Sequence, residues 1–108
     1  MSDAQCVKYP IRPGQREAVV HWIAGLKDRS AEVAEAMAEA GLLTEAVFLE
    51  RTDNRDYVLI YTRAEDLQAG NKVLSSSQLP LIQEFNQLMS QAVDLDRAVS
   101  LELIYHTP

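Results

Sequence analysis

At 108 residues the chain suits a single domain with one core, yet is short enough for a partner subunit to complete a flat surface. Apolar residues make up 47% and charged residues 24%, which excludes a disordered chain. The net charge is −6, and the basic residues are scattered beside acids, as in Asp28-Arg29 and Asp96-Arg97, so no nucleic acid partner is expected.

Residues 5–11 mix β-branched and aromatic side chains and stop before Pro13-Gly14. They predict a strand near a sheet edge or ending at Pro10, because proline has no amide proton for a ladder. Gly14 is placed to cap a helix over residues 15–28, where Val19, Trp22, Ile23 and Leu26 recur at helical spacing and His21 falls off the apolar face. Ser30 is the expected cap of a second helix with Val33, Ala34, Met37 and Ala38 inward and Glu32, Glu35 and Glu39 outward. Gly41 ends it.

Residues 42–52 and 56–62 predict a β-hairpin about the turn Thr52-Asp53-Asn54-Arg55, since Asp and Asn tolerate left-handed backbone. Thr62-Arg63-Ala64-Glu65 has the pattern of a capping box, followed by a helix to about Leu74 and a break at Ser75-Ser76-Ser77. Pro80 suits the first turn of another helix, whose stripe is Leu81, Ile82, Phe85, Leu88, Met89 and Ala92. Residues 97–106 predict the last strand. The order is an α+β, ferredoxin-like domain: a four-stranded antiparallel sheet with helices on one face. A faint repeat, Ala46-Val-Phe-Leu-Glu50 against Ala98-Val-Ser-Leu-Glu102 with Tyr9 against Tyr61, agrees with two equivalent halves.

Alternation sends Val47, Leu49, Val58 and Ile60 to one side of the hairpin and Ala46, Phe48, Glu50, Tyr57, Leu59 and Tyr61 to the other. In the last strand Val99, Leu101 and Leu103 form an apolar side, assigned to the helices. Ser100, Glu102, Ile104 and His106 form the other. The remaining face is mixed, and a second copy of the sheet could cover it while enclosing a pocket. If Tyr9 shares that face with Tyr61, Lys8 points to the helices and must snorkel out.

The Pro13-Gly14 helix start, Arg29-Ser30-Ala-Glu-Val, Glu45-Ala-Val-Phe-Leu-Glu-Arg51 and Tyr57-Val-Leu-Ile-Tyr-Thr-Arg-Ala-Glu-Asp66 together resemble a family of small bacterial proteins without an assigned activity. That family is similar to the dimeric α+β barrel superfamily, which includes antibiotic-biosynthesis monooxygenases. The resemblance implies a ferredoxin-like fold and a homodimer joined sheet to sheet. Members of the family that it resembles often carry a polar His-Pro-x-x-Asp-like stretch at the start of the last helix, with a further histidine. Here the run is Leu79-Pro80-Leu81-Ile82, and only the proline is kept. The superfamily holds oxygenases, isomerases and haem-handling proteins, so the fold does not choose a reaction.

Candidate pocket residues are Tyr9, Phe48, Glu50, Tyr57, Tyr61, Glu102 and His106. Glu50 or Glu102, if desolvated, could take a proton; the alternative is a solvated glutamate or one paired with Arg51 or Lys8. The tyrosines could bond a ligand or pack at an interface. His106 could serve at a barrel rim or simply belong to the chain end. Two histidines and one cysteine, Cys6, offer no metal-ligand spacing and no intrachain disulfide, so no metal and no cofactor are expected. With no signal-like start and no apolar run of the ~20 residues that span a bilayer, a cytoplasmic protein without a membrane partner is expected. Function reads as a homodimer that binds a small apolar or aromatic metabolite between two sheets. The alternatives are a cofactor-independent monooxygenase or isomerase using Tyr61, Glu102 and His106, or a purely structural or regulatory dimer.

Overall fold

A computed structural model of the chain describes residues 2–107. Its elements are β1 (Asp3–Pro10), α1 (Arg16–Ala24), a 3-10 turn (Gly25–Asp28), α2 (Ser30–Ala40), β2 (Leu42–Arg51) and β3 (Asp56–Ala64). There follow α3 (Leu67–Ser76), α4 (Pro80–Ala92), a second 3-10 turn (Leu95–Arg97) and a short β4 (Val99–Ser100). The sheet is antiparallel throughout, in the order β2-β3-β1-β4, which is the ferredoxin-like arrangement. β1 is therefore an inner strand rather than an edge. Pro10 is tolerated there because it is the last residue of the strand.

The hairpin register pairs Arg51 with Asp56 and Val47 with Ile60. The turn is held by Thr52, whose hydroxyl accepts the Arg55 N–H at 3.1 Å. Val58, Ile60, Thr62 and Ala64 are buried in alternation, so this side of β3 faces the helices. Against it pack Val19 of α1 and Met89 and Ala92 of α4, with Ile11 and Val93 closing the end of the core. A second cluster joins Ala36 of α2 to Leu81 and Ile82 of α4, with Trp22, Leu26 and Val33 around it. Gly41 stands at φ +67° after α2, a conformation that a side chain would oppose, and there the chain reverses into β2.

Register decides the faces, and it corrects several expectations. Tyr9 lies opposite Val58 and packs on the helix-side core, so it does not share a face with Tyr61. Lys8, opposite Leu59, points to the open side instead. Val99 pairs with Lys8, which puts Val99 on the open side with Lys8 rather than beneath the helices. Val99, Leu101 and Leu103 are all exposed. The repeat-like segments are thus not equivalent, because Val47 faces the helices and Val99 does not. Only Val99 and Ser100 make a ladder, and beyond them the Leu101 N–H donates to the Cys6 carbonyl at 2.9 Å. The predicted strand over residues 97–106 is shortened accordingly.

Helix starts also differ. Thr62 is a buried strand residue, and Asp66 caps α3 by accepting the Ala69 N–H at 3.1 Å. The ladder from Gln5 and Glu45 to Thr62 holds β3 extended past the capping-box pattern. Gln15, not Gly14, precedes α1, and Gly14 occupies the turn before it at φ +80°. Ser30 is the first helical residue of α2, preceded by Arg29. The buried stripe of α2 runs through Ala36 and Ala40 with Val33 and Met37 half-buried, while Ala34 and Ala38 are exposed.

Candidate functional site

Between the helix layer and the β2 side of the sheet lies an apolar cleft of about 70 Å³. α1 places Trp22 and Ile23 at it, the 3-10 turn that follows adds Leu26, and helical spacing on α4 places Leu81 and Phe85. Strand alternation on β2 supplies Val47 and Glu45. Leu42 also reaches the cleft because the ladder skips Leu43, leaving that residue exposed as a bulge. The apolar Leu79–Ile82 run lends Leu81 and Ile82 to the wall.

Glu45 is the only ionisable side chain on this lining. It remains open to solvent at the rim, yet apolar side chains crowd it, and that desolvation raises its carboxyl above the ordinary value. No described lysine, arginine or histidine lies within ion-pair distance of it. Burial, and then the charge of Glu45, raises the Tyr9 phenol. A carboxyl in such surroundings can exchange a proton nearer neutrality than usual, or anchor a cation.

The wall is tied down from outside. Trp22 Nε1–H donates to Glu84 Oε1 at 3.2 Å, and its ring meets Phe85 at 5.9 Å between centroids. Arg29 donates to both oxygens of Glu84 at 2.7 and 3.0 Å. It also donates to both oxygens of Glu32 at 2.9 and 2.7 Å. The Arg29 guanidinium holds both carboxyls below the ordinary value, with the Trp22 bond adding to the effect at Glu84. One arginine thereby links α2 to α4, and Glu84 carries the link on to the Trp22 of α1.

The open face gathers most of the residues expected from the sequence, in two groups. Lys8 Nζ sits 2.7 Å from Glu50 Oε1 and 4.2 Å from the centre of the Tyr57 ring. The bond to Glu50 raises the lysine above its ordinary value. Glu50 is thus the paired glutamate of the two alternatives. Tyr61 and Glu102 line a separate groove with Cys6, about 400 Å³ and open to solvent. His106 is not on that groove, and its Nδ1 lies 2.8 Å from the Thr107 carbonyl. Phe48 stands 59% exposed on the same face. Tyr9 belongs to the other side. Among the described residues no group of three or more His, Cys, Asp or Glu could hold a metal ion, and no helix is long and apolar enough to cross a membrane.

Glu45 was missing from the residues singled out by sequence. The signal was available: the alternation that sends Leu49 and Val47 to the helices sends Glu45 there too.

The sequence model for a family of unknown function, DUF6176, matches residues 2–108. No curated protein matches the chain's sequence. Several solved structures share its fold. A candidate antibiotic biosynthesis monooxygenase from Chloroflexus aurantiacus superposes with TM-score 0.59 at 18% identity, covering 100% of this chain and 98% of its own. SnoaB, a cofactor-independent oxygenase from Streptomyces nogalater, gives 0.58 at 12% identity, covering 99% and 97%. A dimeric protein of unknown function with a ferredoxin-like fold, from Bacteroides fragilis, gives 0.56 at 9%, covering 93% and 92%. At these identities the likeness is one of fold.

Proposed function

The chain belongs to the DUF6176 family of unknown function, and we propose that it binds a small, largely apolar molecule in the cleft between the helices and β2. One observation carries the reading: a concave apolar lining interrupted by a single carboxyl. The sequence pointed to a pocket between two sheets; the cleft lies on the opposite side of the same sheet. Trp22, the only tryptophan, stands in the cleft wall and reports its occupancy without a label. Benzyl alcohol should shift Trp22 emission saturably, with a dissociation constant of about a millimolar for so small a molecule. Ala36→Phe, which fills the cleft from α2, should abolish the shift. A wild-type response that never saturates, or one unchanged by filling the cleft, overturns the reading.

A second reading concerns assembly and rests on the open face. Phe48, Val99, Leu101 and Leu103 are each at least 42% exposed there, more apolar surface than an isolated sheet face usually shows to water. A second copy is the fitting cover, since a two-fold axis would set each apolar stripe against its equal. A protein of like fold is dimeric, which supports the same choice. Light scattering at micromolar concentration should give twice 12.1 kDa, and a monomer there sinks this reading. A cofactor-independent oxygenase or isomerase has the weaker support. Tyr61 and Glu102 do share a groove, but it is open, and His106 stands apart from it.

A further inference from the structure

We infer that the cleft selects a small organic amine, with its apolar body among Trp22, Leu81 and Phe85 and its ammonium at Glu45 on the rim. This rests on the cleft being a binding site and adds the chemical class of the occupant.

Five of the described acids stand in ion pairs with basic side chains. Glu50 has Lys8, Asp56 has Arg16, Asp94 has Arg97, and Glu32 and Glu84 share Arg29. Arg29, the arginine beside the cleft wall, already gives donors to four carboxylate oxygens. Glu45 faces the apolar lining, and no described cation lies within ion-pair distance of it. A carboxylate crowded by hydrocarbon and lacking a counter-charge costs free energy that a cationic ligand would recover.

The position at the rim fits an amine in particular. An ammonium is strongly hydrated, so drawing it fully into the cleft would be costly. At Glu45 it could keep part of its water while donating to the carboxylate, and the apolar body would displace water from the interior. The rings of Trp22 and Phe85 can pack against an alkyl or aryl stem, and a ring face favours a nearby positive charge. A carboxylate ligand would meet Glu45 with like charge, and the chain as a whole carries −6. The volume, about 70 Å³, limits the body to one ring or a short branched chain.

Three probes of matched size separate the possibilities: benzylamine, benzyl alcohol and benzoate, titrated at pH 8 and followed by Trp22 emission and calorimetry. Benzylamine should bind about tenfold more tightly than benzyl alcohol, the scale of a hydrogen bond to a charged group. Benzoate should give no saturable signal. In Glu45→Gln the two neutral-or-cationic probes should differ by less than about twofold, with benzyl alcohol bound as in the wild type. Equal binding of amine and alcohol by the wild type overturns the amine inference and leaves the cleft reading standing. So does a preference for amine that survives in Glu45→Gln. Failure of all three probes to bind removes the cleft reading and this inference with it.

Discussion

At the scale of single residues, Glu45 has a consequence for stability that does not depend on any ligand. Its folded carboxyl titrates above the ordinary value because burial penalises the charge. The folded state therefore binds the proton more readily than the unfolded state, and stability falls as pH rises through the folded value. Glu45→Gln removes that loss. It should raise the thermal midpoint at pH 7. The gain should vanish below pH 4, where the glutamate is protonated in both states. A pH series of thermal melts checks this, and a gain that is constant with pH contradicts it. The same residue shows where sequence reasoning stopped. Alternation was legible in the hairpin, and it sorted Val47, Leu49, Val58 and Ile60 correctly. It could not fix β1 or β4, because Tyr9 and Val99 lie in segments with apolar residues on both faces. Their sides are set by which residue they pair with, here Val58 and Lys8, and pairing is a property of the assembled sheet.

At the scale of elements, the close approach of α3 to the end of α2 is the most exacting contact. A Cβ added at Gly70 would lie 2.8 Å from the Ala40 carbonyl oxygen. That oxygen belongs to the backbone just before Gly41, whose left-handed turn leaves it little room to move. Alanine normally gains about 1 kcal/mol over glycine within a helix. Here overpacking should win, and Gly70→Ala should lose about 1–2 kcal/mol in chemical denaturation. A variant as stable as the wild type contradicts this packing. Elements with a local signal were read well from sequence: the hairpin turn, Gly41 after α2, and Pro80 as the first residue of α4. Those settled by competition were not. Thr62 had a good capping pattern, yet its place among Val58, Ile60 and Ala64 in a paired strand outweighed it, and Asp66 took the cap.

For the molecule as a whole, the two faces of the sheet carry separate chemistry. One bounds the cleft, and the other carries exposed apolar side chains around the Lys8–Glu50 pair. Phe48→Glu and Leu101→Glu place charge on the open face only, and each should yield a 12.1 kDa monomer by light scattering while the Trp22 response to benzyl alcohol persists. A variant that stays dimeric removes its own position from the proposed interface. The ferredoxin-like arrangement was legible in the order of elements, since each strand and helix pair announced itself. The cleft was not, because it is made by Trp22, Leu42, Glu45 and Leu81, which no short segment brings together.

The bulge at Leu43 bears on a different matter, the behaviour of many copies in a crowded solution. β2 is an edge of the sheet, and a long regular edge offers a row of unpaired amides and carbonyls on which another chain's strand can grow. The extra residue that turns Leu42 into the cleft also throws that row out of step near its start. Charged Glu50 and Arg51 interrupt its other end. The irregularity that shapes the cleft thereby makes the outer rim of β2 a poor template for fibrous aggregation.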